Sequence, residues 1–397
     1  MAEEEKYKGR VRFLEADVYI EAKKRIAHLY DVYDHCFILF SGGKDSLAVL
    51  KLVEEHFVEK GWLYKKKINV IYKDNELIPD CVNDFIETFR VDPKYDFQYW
   101  CAQQANEKQI MGKAEMMVEW DSRREHIHLM PSFALTTDRV VTAYELDSIM
   151  CAHVNGRVAY INGVRAQESP TRLQSVLQVG GAECYIGRTA DKRIFMCKPI
   201  YDWSEKDVFY YFYDKKIKYS FLYDLQAWNR QLLRTSTPLH PNAIPQIYKL
   251  KTLDPVFYER LTKLFPDVLL AARYIKEYDK YGVIDKYERS VEGLFKCIRD
   301  CATSPRAKKW ATTRTLMALR RREKKMANGS KNFGGYPLLY LFIMIVSGRY
   351  MKYSQIPAHL SPSKDMIDFE MGEKTPITVE AITDVLENTA DEERRVN

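Results

Sequence analysis

This chain of 397 residues is short of several things, and each shortage excludes something. Its eight cysteines (Cys36, Cys81, Cys101, Cys151, Cys184, Cys197, Cys297, Cys301) are scattered and form no CxxC pair. That removes the spacing of zinc ribbons and dithiol redox motifs. Long apolar stretches are missing too: the longest uncharged apolar run, Pro337 to Val346, has ten residues. A bilayer needs roughly 20, so no membrane partner is expected and the run reads as a buried helix or strand. The opening MAEEEKYKGR is acidic and holds no apolar core, so no signal peptide is expected. Without secretion, the thiols should be reduced and the protein cytoplasmic. The nucleotide-binding pattern GxxxxGKS/T is absent, and no internal repeat is visible.

What is present suits a large soluble fold. The composition is 46% apolar, 13% aromatic and 29% charged, which excludes global disorder and supplies a sizeable core. The length is about twice that of a typical domain, so a core plus an accessory region is expected. Net charge is +6 but uneven: Asp365 to Asn397 holds ten acids against three bases, a net of −7, leaving +13 on the 364 residues before it. A basic body allows a polyanionic partner.

Apolar spacing predicts a helix over about Asp17 to Asp31, through Ala22, Ile26 and Leu29. Cys36 to Phe40 is a short apolar run of the kind that forms a buried parallel strand. It stops at Ser41-Gly42-Gly43, and a helical pattern then runs from Asp45 to about Lys60. A second strand is expected at Ile68 to Tyr72, completing a βαβ unit. Further helices are expected over Asp80 to Arg90, over Asp138 to Val154 and from about Ser204; a further strand is expected at Val158 to Asn162. The stretch Asp96 to Thr137 has no clear periodicity, and residues after about Gln226 look mostly helical.

The strongest chemical signal is Ser41-Gly42-Gly43-Lys44-Asp45-Ser46, between a strand and a helix. Two glycines permit a tight turn whose N–H groups converge on one concavity. The helix start adds unpaired amides and its positive dipole end. Ser41 and Ser46 add hydroxyls and Lys44 a charge, which together make a phosphate cradle. Asp45 has three open roles: orienting the loop, helping to hold a magnesium ion on the phosphates, or simply starting the helix. Asp74, just after the second strand, is a candidate nucleotide contact, and Glu76 a weaker one. A second block, Ile161-Asn-Gly-Val-Arg165-Ala-Gln-Glu168-Ser169-Pro-Thr-Arg172, offers two guanidinium groups for anion oxygens. Arg165 and Arg172 would share a helical face if a helix begins near Ser169. The alternative is surface arginines paired with Glu168.

SGGKDS resembles the PP-loop of the adenine nucleotide alpha-hydrolase-like superfamily, which splits the α–β bond of ATP. The second block resembles the anion-binding motif of phosphoadenosine phosphosulfate (PAPS) reductases, as does a third, Lys198-Pro-Ile-Tyr-Asp-Trp203 ahead of Asp207-Val208. The resemblance implies an α/β, doubly wound parallel sheet with a mainly helical C-terminal region. It implies a PP-loop nucleotide-binding domain over 1–230; from the residues themselves, a helical accessory region is expected over 231–356 and an acidic tail over 357–397. It also implies ATP or PAPS with Mg2+ as ligands. Ser41, Gly42, Gly43, Lys44, Asp45, Ser46, Asp74, Arg165 and Arg172 would then be binding residues, with Lys44, Asp45 and Arg165 acting in catalysis. A nearer likeness is to the immunoglobulin-binding regulator A type and related phage proteins, which share Ala22-Lys-Lys-Arg-Ile26. A more distant one is to the PP-loop subunit of DNA phosphorothioation systems.

Some features depart from the reductase pattern. The C-terminal Glu-Cys-Gly-Leu-His motif of the reductases is missing, which argues against sulfonucleotide reduction. Cys297 and Cys301 are four apart and would meet on one helical face, a packing pattern more often than a site. His126 and His128 lack a third ligand in register, so no metal site is expected. The expected function is ATP α–β cleavage with adenylylation of an acceptor; the alternatives are PAPS chemistry and a nucleotide-responsive DNA-binding regulator. Nucleic acid would be met by the basic segment Arg306 to Lys331, through Arg306, Lys308, Lys309, Arg314, Arg320, Arg321, Arg322, Lys324 and Lys325, with Trp310 nearby. The bland alternative is a solvated basic helix.

Overall fold

The computed structural model describes residues 15–110, 113–230, 233, 237–239, 243–274, 280–302, 304–328 and 338–348. The acidic tail from 357, including a possible helix near Val379 to Asn388, lies outside them, as does Lys331. Two compact units are present: one comprises residues up to Asn106, Val118–Pro238 and Lys249–Leu264; the other comprises Glu107–Met117, Leu239–Tyr248 and residues from Phe265 onward.

The first unit is built on a six-stranded sheet. Helix α1 (Val18–Val32) is capped by Asp17, whose carboxylate accepts from the amides of Tyr19 (2.8 Å) and Ile20 (3.1 Å). Strand β1 (His35–Leu39), helix α2 (Lys44–Glu59) and strand β2 (Ile68–Lys73) follow, as the apolar runs predict. Helix α3 (Asp80–Arg90) leads to β3 (Tyr95–Trp100), and β4 (Gln104–Ile110) pairs with β5 (Lys113–Glu119) in a separate two-stranded sheet. The unpatterned stretch is thus a strand, a hairpin and a long loop. Helix α4 (Ala143–Met150) is shorter than its apolar spacing suggests, because Thr142 and Glu145 form a capping box that starts it late. Then come β6 (Val158–Ile161), a 3-10 turn (Ala166–Glu168), α5 (Pro170–Leu177), β7 (Ile186–Arg188), β8 (Ile194–Cys197), α6 (Glu205–Asp214) and α7 (Leu222–Trp228). Ser204 and Asp207 form the capping box of α6.

Strand order is β3-β2-β1-β6-β8-β7, parallel except for the edge strand β7. Alternate residues face opposite ways. Ile38, Val70 and Ile161 pack with Ile26 of α1, Leu50 of α2, Ile86 of α3 and Val208 of α6. Phe37, Ile71 and Tyr160 pack on the other face with Leu146 and Met150 of α4. Both faces are covered, so the strands read as continuous apolar runs and the sheet is doubly wound. Each fully buried Leu, Ile or Phe contributes about 1.5–3 kcal/mol. Strand order reverses at β1 and β6, which places the switch point at the carboxyl ends of those two strands.

The second unit is helical apart from its share of the β4–β5 hairpin. It includes α10 (Asp267–Tyr274), α11 (Lys280–Ile284), α12 (Val291–Cys301), α13 (Pro305–Ala327) and α14 (Leu338–Val346), while α8 (Leu250–Leu253) and α9 (Pro255–Leu264) belong to the first. The core of the second unit gathers Leu294, Phe295 and Ile298 of α12, Ala311 and Leu319 of α13, and Leu341, Phe342 and Ile345 of α14. Within the apolar run, Leu338–Val346 is a buried helix of nine residues. Among the described residues no helix is long and apolar enough to cross a membrane.

Candidate functional site

Three loops meet at the switch point, and they are the three blocks that the sequence singles out. Ser41 to Gly43 follows β1, Asn162 to Glu168 follows β6, and Lys198 to Ser204 follows β8. Gly42 has φ +71°, a left-handed backbone that favours glycine, and a Cβ there would stand 2.8 Å from the movable Cδ1 of Ile86. Gly163 is more constrained. A Cβ on it would lie 2.4 Å from the backbone carbon of Asp45 and 2.6 Å from the amide nitrogen of Ser46. The two central loops are in backbone contact because residue 163 has no side chain.

The first loop is wound on its own hydroxyls. The Ser41 amide donates to Ser46 Oγ (3.2 Å), the two hydroxyls are 3.2 Å apart, and Ser46 Oγ donates to the Gly43 carbonyl (3.0 Å). Lys44, the first residue of α2, is 4% exposed. Its ammonium lies 3.2 Å from Asp45, 3.3 Å from Glu205 and 3.3 Å from the Leu233 carbonyl, above the ring of Tyr223. Its amide donates to the Tyr223 hydroxyl at 2.7 Å. A phenol oxygen thus sits on one of the helix-start amides that an anion would use.

Arg165, 3% exposed, donates through Nε to Asp45 Oδ1 (2.6 Å) and through a terminal nitrogen to the Trp203 carbonyl (3.5 Å). It bridges all three loops. Asp45 has Arg165 on one oxygen and Lys44 on the other. The expected helical face shared by Arg165 and Arg172 does not form, because Arg165 has extended backbone ahead of the 3-10 turn and only Arg172 lies on α5. Arg172 forms an ion pair with Glu168, whose other oxygen lies 3.9 Å from Arg165. Lys44, Arg165 and Arg172 are thus set against Asp45, Glu168 and Glu205. An arriving anion would take over cations that these carboxylates now hold, and direct pairing becomes stronger as water leaves the site.

The third loop is held from outside. Arg25 of α1 grips Asp202 with two parallel bonds (2.8 and 2.7 Å) and stacks 4.6 Å from the ring centroid of Tyr201, while Trp203 Nε1 donates to the Val18 carbonyl (3.0 Å). The leading helix therefore fixes the loop whose carbonyl meets Arg165.

Asp74 and Glu76 sit past the end of β2, and neither points to open solvent: they are 2% and 0% exposed. Asp74 accepts from Tyr99 (2.7 Å), the Glu76 amide (2.8 Å) and His128 Nε2 (3.2 Å). Glu76, with φ +62°, holds Arg124 by both oxygens and accepts from the Trp120 amide (2.7 Å). These acids fasten the loop after β5 to the rim of the sheet. His126 Nε2 lies 3.1 Å from the Asp121 carbonyl. Among the described residues no group of three or more His, Cys, Asp or Glu could hold a metal ion.

Glu119 lies beside this network, 3% exposed, accepting from Asn106 (2.9 Å). Burial, with Glu76 and Asp74 nearby, pushes its carboxyl up to about 8. The proton is kept on folding and lost on unfolding between the ordinary carboxyl range and about 8, so stability falls as pH rises through that window. Glu119→Gln removes the titration. Its melting temperature should exceed that of the wild type at pH 9, by roughly 1 kcal/mol or more of stability, and the gap should close towards pH 5. Thermal melts across pH 5–9 check this, and a gap that does not change with pH would contradict it.

Burial also pushes up the thiols of Cys36 (to about 12), Cys81 (to about 11), Cys101, Cys151 and Cys197. Cys297 is raised by its hydrogen bond with Cys301, 3.8 Å away on α12, and by burial. These are poor nucleophiles. Sequence reading missed Gly163, Tyr223 and Glu205. Gly163 alone left a signal, since it follows β6 much as Gly42 follows β1.

A doubly wound sheet with an amide-rich loop and buried cations at its switch point defines an α/β protein whose site lies beyond the carboxyl ends of β1 and β6. Residues 35–261 match the phosphoadenosine phosphosulfate reductase domain, and the chain belongs to that family. No curated protein matches it. Solved structures similar to it include the FMN adenylyltransferase of Candida glabrata in complex with FAD and inorganic pyrophosphate (12% identity, TM-score 0.36, covering 55% of this chain and 66% of that one). The phosphoadenylyl-sulfate reductase of Candida auris in its phosphate complex is another (11%, TM-score 0.30, 55% and 94%). A third is the U34-tRNA thiolase NcsA of Methanococcus maripaludis (15%, TM-score 0.28, 66% and 78%). The chain thus spans just under two thirds of the FMN adenylyltransferase. Likeness at these scores carries no functional argument.

Proposed function

We propose that this protein is a PP-loop enzyme that binds ATP with its magnesium ion and cleaves the α–β bond. An acceptor oxygen attacks the α-phosphorus, the bond to the bridging oxygen breaks, and pyrophosphate leaves with the electron pair while the acceptor gives up its proton. Ser41, Gly42, Gly43, Lys44 and Ser46 cradle the departing pyrophosphate; Asp45 aims Lys44 and Arg165 at it; Arg165 and Arg172 hold the second anionic group. Stabilising the departing charge is the main task in such a transfer. The observation that carries this reading is the convergence of Lys44 and Arg165 on Asp45, beneath helix-start amides, at the switch point. Asp45 already meets a cation on each oxygen, and the magnesium ion would rest chiefly on the nucleotide's own phosphates.

The PAPS reading draws support from the second pair, Arg165 and Arg172 around Glu168. The raised thiols weigh against a reductase step. Asp74 is a further nucleotide contact only if its carboxylate leaves Tyr99 or His128. The nearer likeness in this account is to the immunoglobulin-binding regulator A and phage branch, acting on a cytoplasmic acceptor. A regulator that responds to the nucleotide and binds DNA without turnover is the non-enzymatic alternative.

Label transfer from α-labelled ATP, in the presence of oligonucleotides, tRNA, small thiols and carboxylates, tests the reading and finds the acceptor. Label on one acceptor class supports it; binding of ATP with no transfer to any class favours the regulator. Tyr223→Phe frees the Lys44 amide and should tighten pyrophosphate binding about fivefold, one neutral hydrogen bond's worth. Calorimetry checks this, and weaker binding would make the phenol a ligand contact instead of a competitor.

A further inference from the structure

The outward face of α13, in the second unit, is not used by the site described above. Arg306, Lys309, Trp310, Thr313, Met317 and Arg320 are its exposed residues. At 100° per residue they fall on one stripe about 100° wide. Ala307, Ala311, Thr315, Ala318 and Leu319 are buried on the opposite side. No carboxylate among the described residues pairs with Arg306, Lys309 or Arg320. From Arg306 to Arg320 the stripe extends about 21 Å. Its one aromatic ring, Trp310, is 36% exposed, with the Arg306 guanidinium 4.8 Å from its centroid. Arg321, Arg322, Lys324 and Lys325 continue the helix, with side chains outside the described residues.

We propose that this face binds single-stranded nucleic acid, with Arg306, Lys309 and Arg320 on the phosphates and Trp310 stacked on a base. Three features select that partner. Among the described residues the charge is of one sign and unpaired, so it calls for a polyanion. It is strung along a line instead of gathered in a pocket, which matches a phosphate backbone more closely than a compact anion. The exposed ring among the cations supplies the stacking surface that an unpaired base offers and a closed duplex withholds. This inference stands apart from the reading of the PP-loop and survives that reading's failure.

The test is fluorescence anisotropy of the full-length protein with labelled oligo(dT), oligo(U), a duplex of equal length and poly-glutamate, at 50 to 200 mM salt. The wild type should bind a single strand more tightly than the duplex, and whichever of oligo(dT) and oligo(U) binds better identifies the source. Replacing Arg306, Lys309 and Arg320 together by Gln should lower the slope of log affinity against log salt by about 2, at about 0.7 per phosphate contact. Trp310→Ala should weaken single-strand binding about tenfold and leave the slope unchanged. A triple variant that binds as the wild type does, a silent Trp310→Ala, or poly-glutamate binding as tightly as the oligonucleotides overturns the proposal. Because all four positions are exposed, circular dichroism of the variants should match the wild type.

Discussion

Lys44→Ala should lower ATP-dependent pyrophosphate formation by at least about 100-fold, the scale of losing one pre-organised stabiliser of developing charge. The ammonium is 4% exposed and held by Asp45, Glu205, the Leu233 carbonyl and the Tyr223 ring. An arriving anion would take this ammonium over from Asp45 and Glu205. The fold should tolerate the change better than the chemistry does. Asp45 keeps Arg165, and Glu205 is half-exposed and can return to water. The melting temperature should therefore fall by only a few degrees, and Lys44→Arg should recover part of the activity. Steady-state rates beside thermal melts separate the two effects. Equal activity in Lys44→Ala would remove the lysine from the mechanism.

Gly163→Ala should be as damaging through a different cause. The added methyl would meet the carbon, oxygen and nitrogen atoms of the Asp45–Ser46 peptide at 2.4 to 2.6 Å. Backbone cannot rotate away as a side chain can, so the loops after β1 and β6 must separate. Overpacking of this kind costs about 1–3 kcal/mol. The same separation stretches the 2.6 Å bond between Arg165 and Asp45, and breaking a buried ion pair is expensive in its own right. ATP binding should weaken more than tenfold, together with a lowered melting temperature. Gly42→Ala is the informative comparison, since its methyl meets the movable end of Ile86 but forces a left-handed backbone. Wild-type affinity in Gly163→Ala would mean that the two loops need not touch to bind the nucleotide.

Much of the first unit was legible because its signals are local. An apolar run that stops at Ser-Gly-Gly before a helical pattern locates β1, the turn and α2 within a residue or two. The Asn-Gly after β6 repeats the device one strand away. Long-range pairing leaves no such trace. Asp74 meets Tyr99 and His128, which lie 25 and 54 residues on, and Glu76 meets Arg124, 48 residues on. No periodicity links those positions, so two acids that anchor a loop read as weak nucleotide contacts. Tyr223 reaches the Lys44 amide across 179 residues for the same reason. The spacing of Arg165 and Arg172 suits a shared helical face if a helix begins near Ser169; the helix does begin there, but Arg165 lies ahead of it on extended backbone and bonds Asp45, 120 residues away. The family likeness points to the same blocks, but the neutral balance of Lys44, Arg165 and Arg172 against Asp45, Glu168 and Glu205 is visible only in three dimensions.

The bond that ATP loses is the most direct test of the central claim. The full-length protein is incubated with ATP and magnesium, with and without the acceptor found by label transfer, and pyrophosphate and orthophosphate are assayed in parallel for wild type, Lys44→Ala and Ser46→Ala. The account predicts pyrophosphate in step with AMP or adenylylated acceptor, no orthophosphate, and near-complete loss in both variants. Orthophosphate with ADP, or pyrophosphate release that ignores both substitutions, would contradict it.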